Sequence, residues 1–487
     1  MLTIQEVAKA VGGSVVGEPA GEQTLTSVAV DSRQVTPGAL FVALRGQKHD
    51  GHDFVLDAFV KGARAALVER LPAEAAAPAA TGSLPLIQVS DTMAALQTLA
   101  RYWRQQLGLS VIGVTGSVGK TTTKEVVAGL LAHRFQVMKS EGNLNTEVGL
   151  PLTVLKATPR HQLLVLEMGM YAVGEIRALA RIAKPDVGIV TNVGPTHLER
   201  LGTVERIAEA KGELVEELPE QGLAVLNFDD QRVKAMASRT PAKVAYFGLD
   251  PQSDFWADAV QSRGLRGIEF DLRHRRSAEP GALSPDAGSP VLRPVHSDPD
   301  DEWVHVRMPL LGLHSVHAAL AAAAVGHHLG MSLEEIAEGL HEVSPSLRLI
   351  VEAGLNGSTV IDDSYNANPA STLAALNLLA ELEGRKVAVL GDMLELGSFS
   401  EEGHQMVGRR AADVADLLIG VGSLGAVIGR EALASGKSPE TVVLAKTNEE
   451  AIQQLKALLR PGDCVLVKGS RGMRMEQIVE AIRCPTP

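Results

Sequence analysis

The stretch Leu109-Ser-Val-Ile-Gly-Val-Thr-Gly-Ser-Val-Gly-Lys-Thr121 decides the fold of the middle of this chain. Its first half is a mostly apolar run, which is typical of a strand buried on both faces of a parallel sheet. Glycines and a Lys-Thr pair follow, and the pattern predicts a helix over 120–133. A strand, a glycine-rich turn and a helix in this order are the setting of a phosphate-binding loop.

The residues of this phosphate loop (115–121) suit the binding of a nucleoside triphosphate. Glycines let backbone N–H groups approach phosphate oxygens, and the start of the helix adds about half a positive charge. We expect Lys120 to reach the β- and γ-phosphates and the Thr121 hydroxyl to bind Mg²⁺. The pattern G-x-x-x-x-G-K-[ST] is not met in full, because Val114 stands where its first glycine belongs. The alternative is a glycine-rich turn without a ligand, which leaves the Lys-Thr pair unexplained.

Further buried strands are predicted on the C-terminal side of this loop, at 163–166, 187–191, 223–227 and 244–247. Helices between several of them imply parallel strands joined by βαβ crossovers. Residues 271–302 are rich in Arg, Ser, Pro and Asp. We therefore expect an excursion between two strands there rather than a domain boundary.

The flanking segments predict two more α/β units. Near the N-terminus, Thr3 and Glu6 form the sequence pattern of a capping box, and short apolar runs follow that are separated by turn residues. In the C-terminal third, Asn356-Gly357 between apolar runs predicts a hairpin, after which strands and helices alternate again. We place the boundaries near residues 107 and 345.

Composition bounds the classes of function. At ~150 residues per domain, 487 residues suggest about three domains. With 46 basic and 58 acidic residues, the net charge of −12 argues against nucleic-acid binding through bulk positive charge and against a polybasic membrane-surface protein. Two cysteines, Cys464 and Cys484, allow neither a disulfide framework nor a cysteine metal cluster. The N-terminus lacks signal-peptide features and no long apolar run is present, so we expect a cytoplasmic protein.

Two side chains follow predicted strands of the middle sheet. Glu167 ends one apolar run, and His197 comes shortly after another. Because the carboxyl ends of parallel strands meet at one edge of a sheet, both are expected near the phosphate loop. Glu167 is suited to hold Mg²⁺ there, and a solvated strand end is the alternative. A lone histidine is more often structural, but its position at this edge favours a role in a site.

Lys211 lies on the apolar stripe of a helix predicted over 204–218. Ile207, Leu214 and Leu218 share that stripe at helical spacing. A lysine there either extends its ammonium to solvent, pairs with a carboxylate, or is modified. A neutral amine could react with CO₂ to give a carbamate, which is a metal-binding anion. These interpretations stay open from the residues alone.

Two polar stretches follow predicted strands of the C-terminal third. Asp362-Asp-Ser-Tyr-Asn-Ala-Asn-Pro369 supplies carboxylates, a phenol and amides, and Val467-Lys-Gly-Ser-Arg-Gly472 supplies two cations and a hydroxyl. The second stretch suits an anionic group. A polar helix cap and a solvated turn are the respective alternatives.

Together these motifs resemble the Mur ligase family, the ATP-dependent amide-forming enzymes of peptidoglycan synthesis. The segment 115–121 is similar to that family's form of the phosphate loop, which accounts for the missing glycine. Thr191-Asn-Val-Gly-Pro-Thr-His197 and Ala210-Lys-Gly-Glu213 resemble its metal-site segments. The resemblance implies that Lys211 is carbamylated. It also implies catalytic residues Lys120, Lys211 and His197, and Mg²⁺ ligands Thr121, Glu167, His197 and Lys211.

The resemblance implies three α/β domains. They are an N-terminal UDP-sugar-binding domain (1–107), a central ATP-binding domain with a mostly parallel sheet (108–345), and a C-terminal Rossmann-like ligase domain (346–487). Asp31-Ser-Arg-Gln-Val-Thr-Pro-Gly-Ala-Leu-Phe-Val-Ala-Leu-Arg-Gly46 carries the likeness of the first domain.

Within the family, the likeness is to the member that adds a dipeptide. It rests on Gly142-Asn-Leu-Asn-Thr-Glu-Val-Gly149, Tyr365-Asn-Ala-Asn-Pro-Ala-Ser371, Leu390-Gly-Asp-Met-Leu-Glu-Leu-Gly397 and Lys468-Gly-Ser-Arg471. The implied cofactors are ATP and Mg²⁺, and the implied substrates are UDP-N-acetylmuramoyl-tripeptide and D-alanyl-D-alanine. The two substrates would be joined through an acyl phosphate. We expect the enzyme to be a monomer that binds no nucleic acid and does not insert into a membrane.

The resemblance also assigns contacts to individual residues. ATP is expected against Thr115, Gly116, Ser117, Val118, Gly119, Lys120, Thr121, Thr122, Arg348, Asp363, Tyr365 and Asn366. The substrates, UDP-N-acetylmuramoyl-tripeptide and D-alanyl-D-alanine, are expected against Ser32, Arg33, Asp50, Gly51, His52, Asn143, Asn145, Thr146, Lys468, Ser470 and Arg471.

The chain departs from the family pattern in three places. His314-Ser-Val-His-Ala318 lacks two asparagines, Thr146 stands where a second asparagine is usual, and Arg348 has other flanking residues. Rival interpretations are folylpolyglutamate synthetase, the member that adds the third amino acid, and a nucleotide-dependent switch or motor. The first would not need a UDP-binding domain, and the Asp-Asn-Pro-Arg signature of the diaminopimelate-adding member is absent.

Overall fold

The structure is a computed structural model that describes residues 2–17, 24–46, 48–71, 84–142, 144–275, 301–343 and 350–484. Each of three α/β domains is built on its own sheet, which confirms the predicted fold class. The predictions for Asn143 and Arg348, the boundary at 345, and residues 276–300 of the predicted excursion lie outside the described residues.

The N-terminal domain holds five strands in the described part of the chain: β1 (Ser14–Val16), β2 (Val28–Ala29), β3 (Leu40–Val42), β4 (Ala65–Val68) and β5 (Leu86–Gln88). They lie in the order β1-β5-β4-β3-β2, and only β1 is antiparallel to its neighbour. The helices are α1 (Ile4–Val11), α2 (Val55–Val60) and α3 (Thr92–Gln106). The predicted capping box of Thr3 and Glu6 begins α1.

The central sheet has nine strands in the described residues: β6 (Ser110–Thr115), β7 (Val137–Lys139), β8 (Leu163–Glu167), β9 (Val187–Val190), β10 (Leu223–Asn227), β11 (Lys243–Gly248), β12 (Phe255–Ser262), β13 (Ile268–His274) and β14 (Glu302–Met308). Their order is β14-β13-β12-β11-β10-β9-β6-β8-β7. Pairing is parallel from β7 to β12 and antiparallel from β12 to β14. The prediction of an excursion over 271–302 is wrong at its two ends, because residues 271–274 belong to β13 and residue 302 belongs to β14, where apolar side chains alternate with polar ones and the two strands pair with each other.

The helices of the central domain are α4 (Lys120–Ala132), α5 (Gly149–Lys156), α6 (Glu175–Ala183), α7 (Leu198–Leu201), α8 (Val204–Glu216), α9 (Gln231–Lys234), α10 (Ser315–His328) and α11 (Leu333–His341). They cover both faces of the sheet, so the central strands are buried throughout. Alanines along α10 let this helix pack closely against α4.

The C-terminal sheet is formed by β15 (Ile350–Ala353), β16 (Thr359–Asp363), β17 (Lys386–Gly391), β18 (Leu417–Val421), β19 (Val442–Ala445) and β20 (Cys464–Lys468). The order is β15-β16-β20-β17-β18-β19, parallel except for β15. Its helices are α12 (Pro369–Glu381), α13 (Ser400–Val414), α14 (Gly422–Ala434), α15 (Asn448–Leu458) and α16 (Glu476–Ile482). The predicted hairpin is confirmed, since Asn356 and Gly357 turn between β15 and β16 with φ of 58° and 77°.

Contacts between domains place the site. Helix α3 packs against α5 and α6 of the central domain, and the Arg104 guanidinium donates to the carbonyls of Ala183 and Lys184. The loops at the carboxyl ends of the central and C-terminal sheets face each other across a cavity. In the parts of the chain described, none of the helices is both long and apolar enough to cross a bilayer.

Candidate active site

A cavity of about 1040 Å³ lies between the central and C-terminal domains. Its wall includes residues from the phosphate loop, from the ends of β8 and β16, and from the loops after β9 and β20. Of the residues predicted from the sequence, it is lined by Gly116, Ser117, Val118, Gly119, Lys120, Thr121, Thr122, Asn145, Thr146, Glu167, His197, Lys211, Asp363, Tyr365, Asn366, Lys468, Ser470 and Arg471.

The phosphate loop is fixed against the segment that follows β9. The Ser117 N–H donates to the Asn192 carbonyl at 2.9 Å, and the Val118 N–H donates to Asn192 Oδ1 at 2.9 Å. Gly116 has a φ of 150°, and a Cβ added there would lie 1.8 Å from Thr191 Oγ1. Only glycine fits this close approach, so the loop geometry depends on that residue.

Lys120 begins α4 and lies against its own loop. Its Nζ donates to the carbonyls of Gly116 at 2.8 Å and Ser117 at 3.2 Å. The ammonium is thereby held at the cavity wall beside the N-terminus of the helix. Both groups are positive, so this corner of the cavity is suited to an anion such as a phosphate.

Glu167 and Thr121 meet at the same edge of the sheet, as predicted from the strand ends. Thr121 Oγ1 donates to Glu167 Oε2 at 2.6 Å, and Asn145 Nδ2 donates to Glu167 Oε1 at 2.9 Å. Glu167 is buried, and its backbone N–H donates to Ser140 Oγ at 2.9 Å. A hydroxyl and a carboxylate side by side supply the oxygen ligands that Mg²⁺ prefers.

These donors fit a magnesium ion that is shared with a nucleotide. No group of three or more His, Cys, Asp or Glu side chains suited to a metal occurs in the described ranges. Mg²⁺ is commonly bound by one or two carboxylates together with substrate phosphates rather than by a cage made only of protein. The pair of Thr121 and Glu167 beside a phosphate loop matches that arrangement.

Lys211 lies on α8 and is 2% exposed. Among the residues that the structure describes, no hydrogen bond or ion pair to its ammonium is present. Burial, and next the positive charge of Lys120, lower the pKa of Lys211 well below its usual value. Of the three interpretations from the sequence, extension to solvent and pairing with a carboxylate are therefore not what the structure shows. Lys211 is a buried amine at the cavity wall, and its lowered pKa favours the uncharged form.

His197 precedes α7 and reaches across the domain interface. Its Nδ1 lies 2.8 Å from Glu395 Oε2 of the C-terminal domain, and its ring meets the edge of Tyr171 at 5.3 Å between centroids. Burial and the nearby Lys120 lower the pKa of the imidazole. Sequence reasoning missed Glu395, although the segment that contains it was singled out for its resemblance.

In the C-terminal domain, the two polar stretches predicted from the sequence come together because β16 and β20 are neighbours. Lys468 Nζ donates to Asp363 Oδ2 at 2.6 Å and to the Asn366 carbonyl at 2.9 Å. The Arg471 guanidinium lies over the Tyr365 ring at 5.2 Å. Lys468 is buried, while Arg471 is exposed at the cavity.

Of the predicted residues that the structure describes, six do not line this cavity. Thr115 is buried at the end of β6, where its hydroxyl donates to the Met168 carbonyl at 2.9 Å. The other five belong to the N-terminal domain: Ser32, Arg33, Asp50, Gly51 and His52.

Within that N-terminal group, both ring nitrogens of His52 form hydrogen bonds inside the domain, one of them to Asp50. Its Nδ1–H donates to Asp50 Oδ1 at 2.6 Å, and its Nε2 accepts from the Glu69 N–H at 2.9 Å. Arg33 forms an ion pair with Asp31 at 2.6 Å. The predicted contacts of these residues with a substrate stay predictions.

Comparison with known families gives matches along most of the chain. Residues 24–104 match a family model described as "Mur ligase family, catalytic domain". Residues 114–326 match the Mur ligase middle domain, and residues 347–471 match "Mur ligase, glutamate ligase domain".

Curated relatives match over their full length. The UDP-N-acetylmuramoyl-tripeptide–D-alanyl-D-alanine ligase of Bacillus subtilis (strain 168) is 35% identical over 482 residues, covering 98% of this chain and 97% of that protein. The enzyme of the same name from Escherichia coli (strain K12) is 34% identical, covering 99% of this chain and 98% of that protein.

Solved structures of Mur ligases are also similar to this chain. MurF from Acinetobacter baumannii is 30% identical with a TM-score of 0.82, covering 98% of both chains. MurF ligase from Thermotoga maritima in complex with ADP is 30% identical with a TM-score of 0.76, covering 93% of this chain and 96% of that one. Folylpolyglutamate synthase from Mycobacterium tuberculosis, at 18% identity and a TM-score of 0.59, shares the fold.

Proposed function

The chain belongs to the Mur ligase family, and we propose that it joins D-alanyl-D-alanine to UDP-N-acetylmuramoyl-tripeptide at the expense of ATP. The observation that carries this proposal is the cavity between two domains. It brings the phosphate loop, Glu167 and the buried Lys211 to face Lys468 and Arg471 of the C-terminal domain. Full-length relatives at 34–35% identity carry the name of this reaction.

The reaction solves the problem of making an amide from a carboxylate, which is a poor electrophile. A carboxylate oxygen of the tripeptide attacks the γ-phosphorus of ATP, and the bond to the β,γ-bridging oxygen breaks to release ADP. The amine of D-alanyl-D-alanine then attacks the acyl carbon of the resulting acyl phosphate. The carbon–oxygen bond to phosphate breaks, the nitrogen loses a proton, and the products are the amide and inorganic phosphate.

The phosphate loop binds and orients ATP in this proposal. The N–H groups at the start of α4 and the Lys120 ammonium meet the phosphates, where negative charge accumulates as the γ-phosphoryl group is transferred. Thr121 and Glu167 would hold Mg²⁺, which when bound offsets phosphate charge. Lys120 leaves the carbonyls of Gly116 and Ser117 when it contacts a phosphate.

We further propose that Lys211 carries a carbamate. The neutral nitrogen attacks CO₂, a nitrogen–carbon bond forms and one proton is released, so that a buried amine becomes an anion. Its burial without a carboxylate partner and its lowered pKa support this step, because an ammonium cannot act as the nucleophile. The carbamate oxygens would then belong to the set of Mg²⁺ ligands with His197.

The C-terminal domain supplies positive charge on the opposite side of the cavity. Lys468 and Arg471 suit the carboxylate of the incoming dipeptide, while the N-terminal domain holds the UDP end of the other substrate. Docking of the C-terminal domain over the phosphate loop excludes water, which protects an acyl phosphate from hydrolysis. We propose a monomer, because one chain supplies all of these groups, and a reaction in the cytoplasm, where ATP is available.

Two rivals from the same family are less well supported. The folylpolyglutamate synthase structure covers 81% of this chain at 18% identity. The structure of UDP-N-acetylmuramoyl-L-alanyl-D-glutamate–2,6-diaminopimelate ligase reaches 19% identity and a TM-score of 0.51. The rival from another class is a nucleotide-dependent switch, which would hydrolyse ATP without either peptide substrate.

Omitting one substrate at a time separates these functions. Purified protein is incubated with ATP, Mg²⁺, UDP-muramoyl-tripeptide and D-alanyl-D-alanine, and phosphate release and product mass are measured. We expect the mass of UDP-muramoyl-pentapeptide, and phosphate release that falls to background without either peptide substrate. Phosphate release that continues without both would support the switch and contradict the ligase.

A further inference from the structure

We propose that Glu395 is a positioning residue, which reaches from the C-terminal domain to fix the tautomer and orientation of His197 in the central domain. The inference rests on the proposed function in one respect, that His197 serves as a metal ligand. It adds a residue that the sequence motifs leave without a role. It also makes one ligand of the site depend on the docking of another domain.

The contact itself sets the tautomer. Glu395 Oε2 lies 2.8 Å from His197 Nδ1, across 198 residues of sequence. A carboxylate only accepts hydrogen bonds, so Nδ1 carries the hydrogen and Nε2 keeps its lone pair. A histidine that binds a metal through one nitrogen commonly donates from the other to a carboxylate, which fixes the ring and strengthens it as a ligand.

The backbone on both sides of the contact is unusual. His197 has a φ of 57° and Glu395 a φ of 64°, a left-handed conformation that residues other than glycine seldom adopt. Gly397, with a φ of 55°, lies so close to α7 that an added Cβ would be 3.0 Å from the Glu199 nitrogen. Left-handed conformations of this kind cluster where a structure places a side chain for a function.

The loop that presents Glu395 is held on both sides. The Met393 N–H donates to His404 Nε2 at 2.9 Å, and the Leu394 N–H donates to Ser470 Oγ at 2.8 Å. His404 is fully buried, and its Nδ1 donates to the Ser400 carbonyl. Glu395 is therefore carried by a segment anchored to the body of its own domain, next to the cations of the 468–471 stretch.

The exposure of the Glu395 and His197 side chains indicates that their contact orients the His197 ring rather than stabilises the fold. The Glu395 side chain is 46% exposed, and the His197 side chain is 25% exposed. A polar contact this open to solvent contributes little to the stability of a fold. Removal of the carboxylate should therefore change the ring of His197 far more than it changes thermal unfolding.

The test compares Glu395→Ala, which removes the acceptor, with Glu395→Gln, whose amide oxygen can still accept. Glu401→Ala is the matched control, because Glu401 is an exposed glutamate of α13 in the same domain and does not line the cavity. Full-length proteins with ¹⁵N-labelled histidine are examined by NMR without substrates, and His197→Gln assigns the signal. Binding of Mn²⁺ in the presence of a non-hydrolysable ATP analogue is measured by electron paramagnetic resonance.

We expect the Nδ1–H tautomer in the wild type, in Glu395→Gln and in the control. Glu395→Ala should shift His197 to a tautomer mixture and weaken Mn²⁺ binding by about 10- to 100-fold, with an unchanged unfolding midpoint. A wild-type tautomer signal in Glu395→Ala, with Mn²⁺ affinity within twofold of the control, would overturn the proposal. Should Glu395→Ala fail to fold, an Nε2–H tautomer in the wild type would overturn it equally, because a carboxylate at Nδ1 requires the hydrogen on that nitrogen.

The tautomer is measured without substrate turnover, so this test is independent of the ligase assay. A failed ligase assay with the expected tautomers would refute the proposed function alone. Normal ligation with an unchanged tautomer in Glu395→Ala would refute only the role of Glu395.

Discussion

Gly116→Ala tests the geometry of the phosphate loop directly. An added Cβ would lie 1.8 Å from Thr191 Oγ1, whereas ordinary contacts begin near 3.4 Å, so the atoms must separate by 3.4 − 1.8, or 1.6 Å. Thr191 cannot rotate away freely, because its hydroxyl donates to the Val118 carbonyl of the same loop at 2.6 Å. The loop itself must therefore move.

The size of the effect follows from that displacement. A misplacement of about 1 Å in a binding geometry is able to cost about 100-fold. The left-handed φ adds roughly 1–3 kcal/mol of backbone strain for a residue with a side chain. We expect the affinity for ATP to fall by at least about 100-fold, equivalent to about 2.8 kcal/mol.

Two further variants separate steric overlap from backbone strain. Gly119 also has a positive φ, of 82°, but an added Cβ there has no atom within 4 Å. Gly119→Ala should therefore lose about tenfold, from strain alone. The double variant Gly116→Ala/Thr191→Ala removes the overlapping oxygen and should bind ATP more tightly than Gly116→Ala. Titration with a fluorescent ATP analogue measures all of them, with thermal unfolding as the check of folding.

The result that would refute this reasoning is specific. Gly116→Ala that binds ATP within threefold of the wild type would show that the loop does not hold the phosphates in the geometry described. A double variant no better than Gly116→Ala would show that the overlap with Thr191 is not the cause.

The remaining predictions concern charge. Lys211→Ala should abolish ligation, and a short carboxylic acid should restore part of it; normal turnover of this variant in CO₂-free buffer would contradict the carbamate. Lys120→Ala should lose ATP-dependent phosphate release to background, because the phosphates lose their cation. Burial lowers the pKa of His404 in the folded chain. Below about pH 6.5 the unfolded chain therefore binds more protons than the folded one, and the free energy of unfolding decreases as the pH is lowered. This group contributes at most about 1.4 kcal/mol per pH unit, and urea unfolding of His404→Gln between pH 7 and 5 should show a shallower dependence than the wild type.

Features set by local sequence were predictable. The phosphate loop follows from a strand, glycines and Lys-Thr in the correct order, and the meeting of Thr121 with Glu167 follows from the rule that parallel strands end at one edge. Asn356-Gly357 specifies its hairpin through backbone conformation alone. Each of these needs only neighbouring residues or one topological rule.

Features set by how domains dock were not predictable. The contact between His197 and Glu395 joins residues 198 positions apart in different domains, and no local pattern states that geometry. Lys211 on the apolar stripe of α8 had three interpretations, because helical periodicity predicts which face a residue lies on but not which residues pack against that face. Resemblance named residues of the N-terminal domain, such as His52, yet it could not show that they lie off the cavity.

Isotope transfer tests the central claim, that the tripeptide carboxylate is activated by the γ-phosphoryl group of ATP. The tripeptide substrate is labelled with ¹⁸O in the carboxylate of its third residue and is incubated with ATP, Mg²⁺ and D-alanyl-D-alanine. We predict one ¹⁸O in each inorganic phosphate released, and one retained in the new amide. Pentapeptide product accompanied by unlabelled phosphate would contradict the acyl phosphate and with it the chemistry assigned to this cavity.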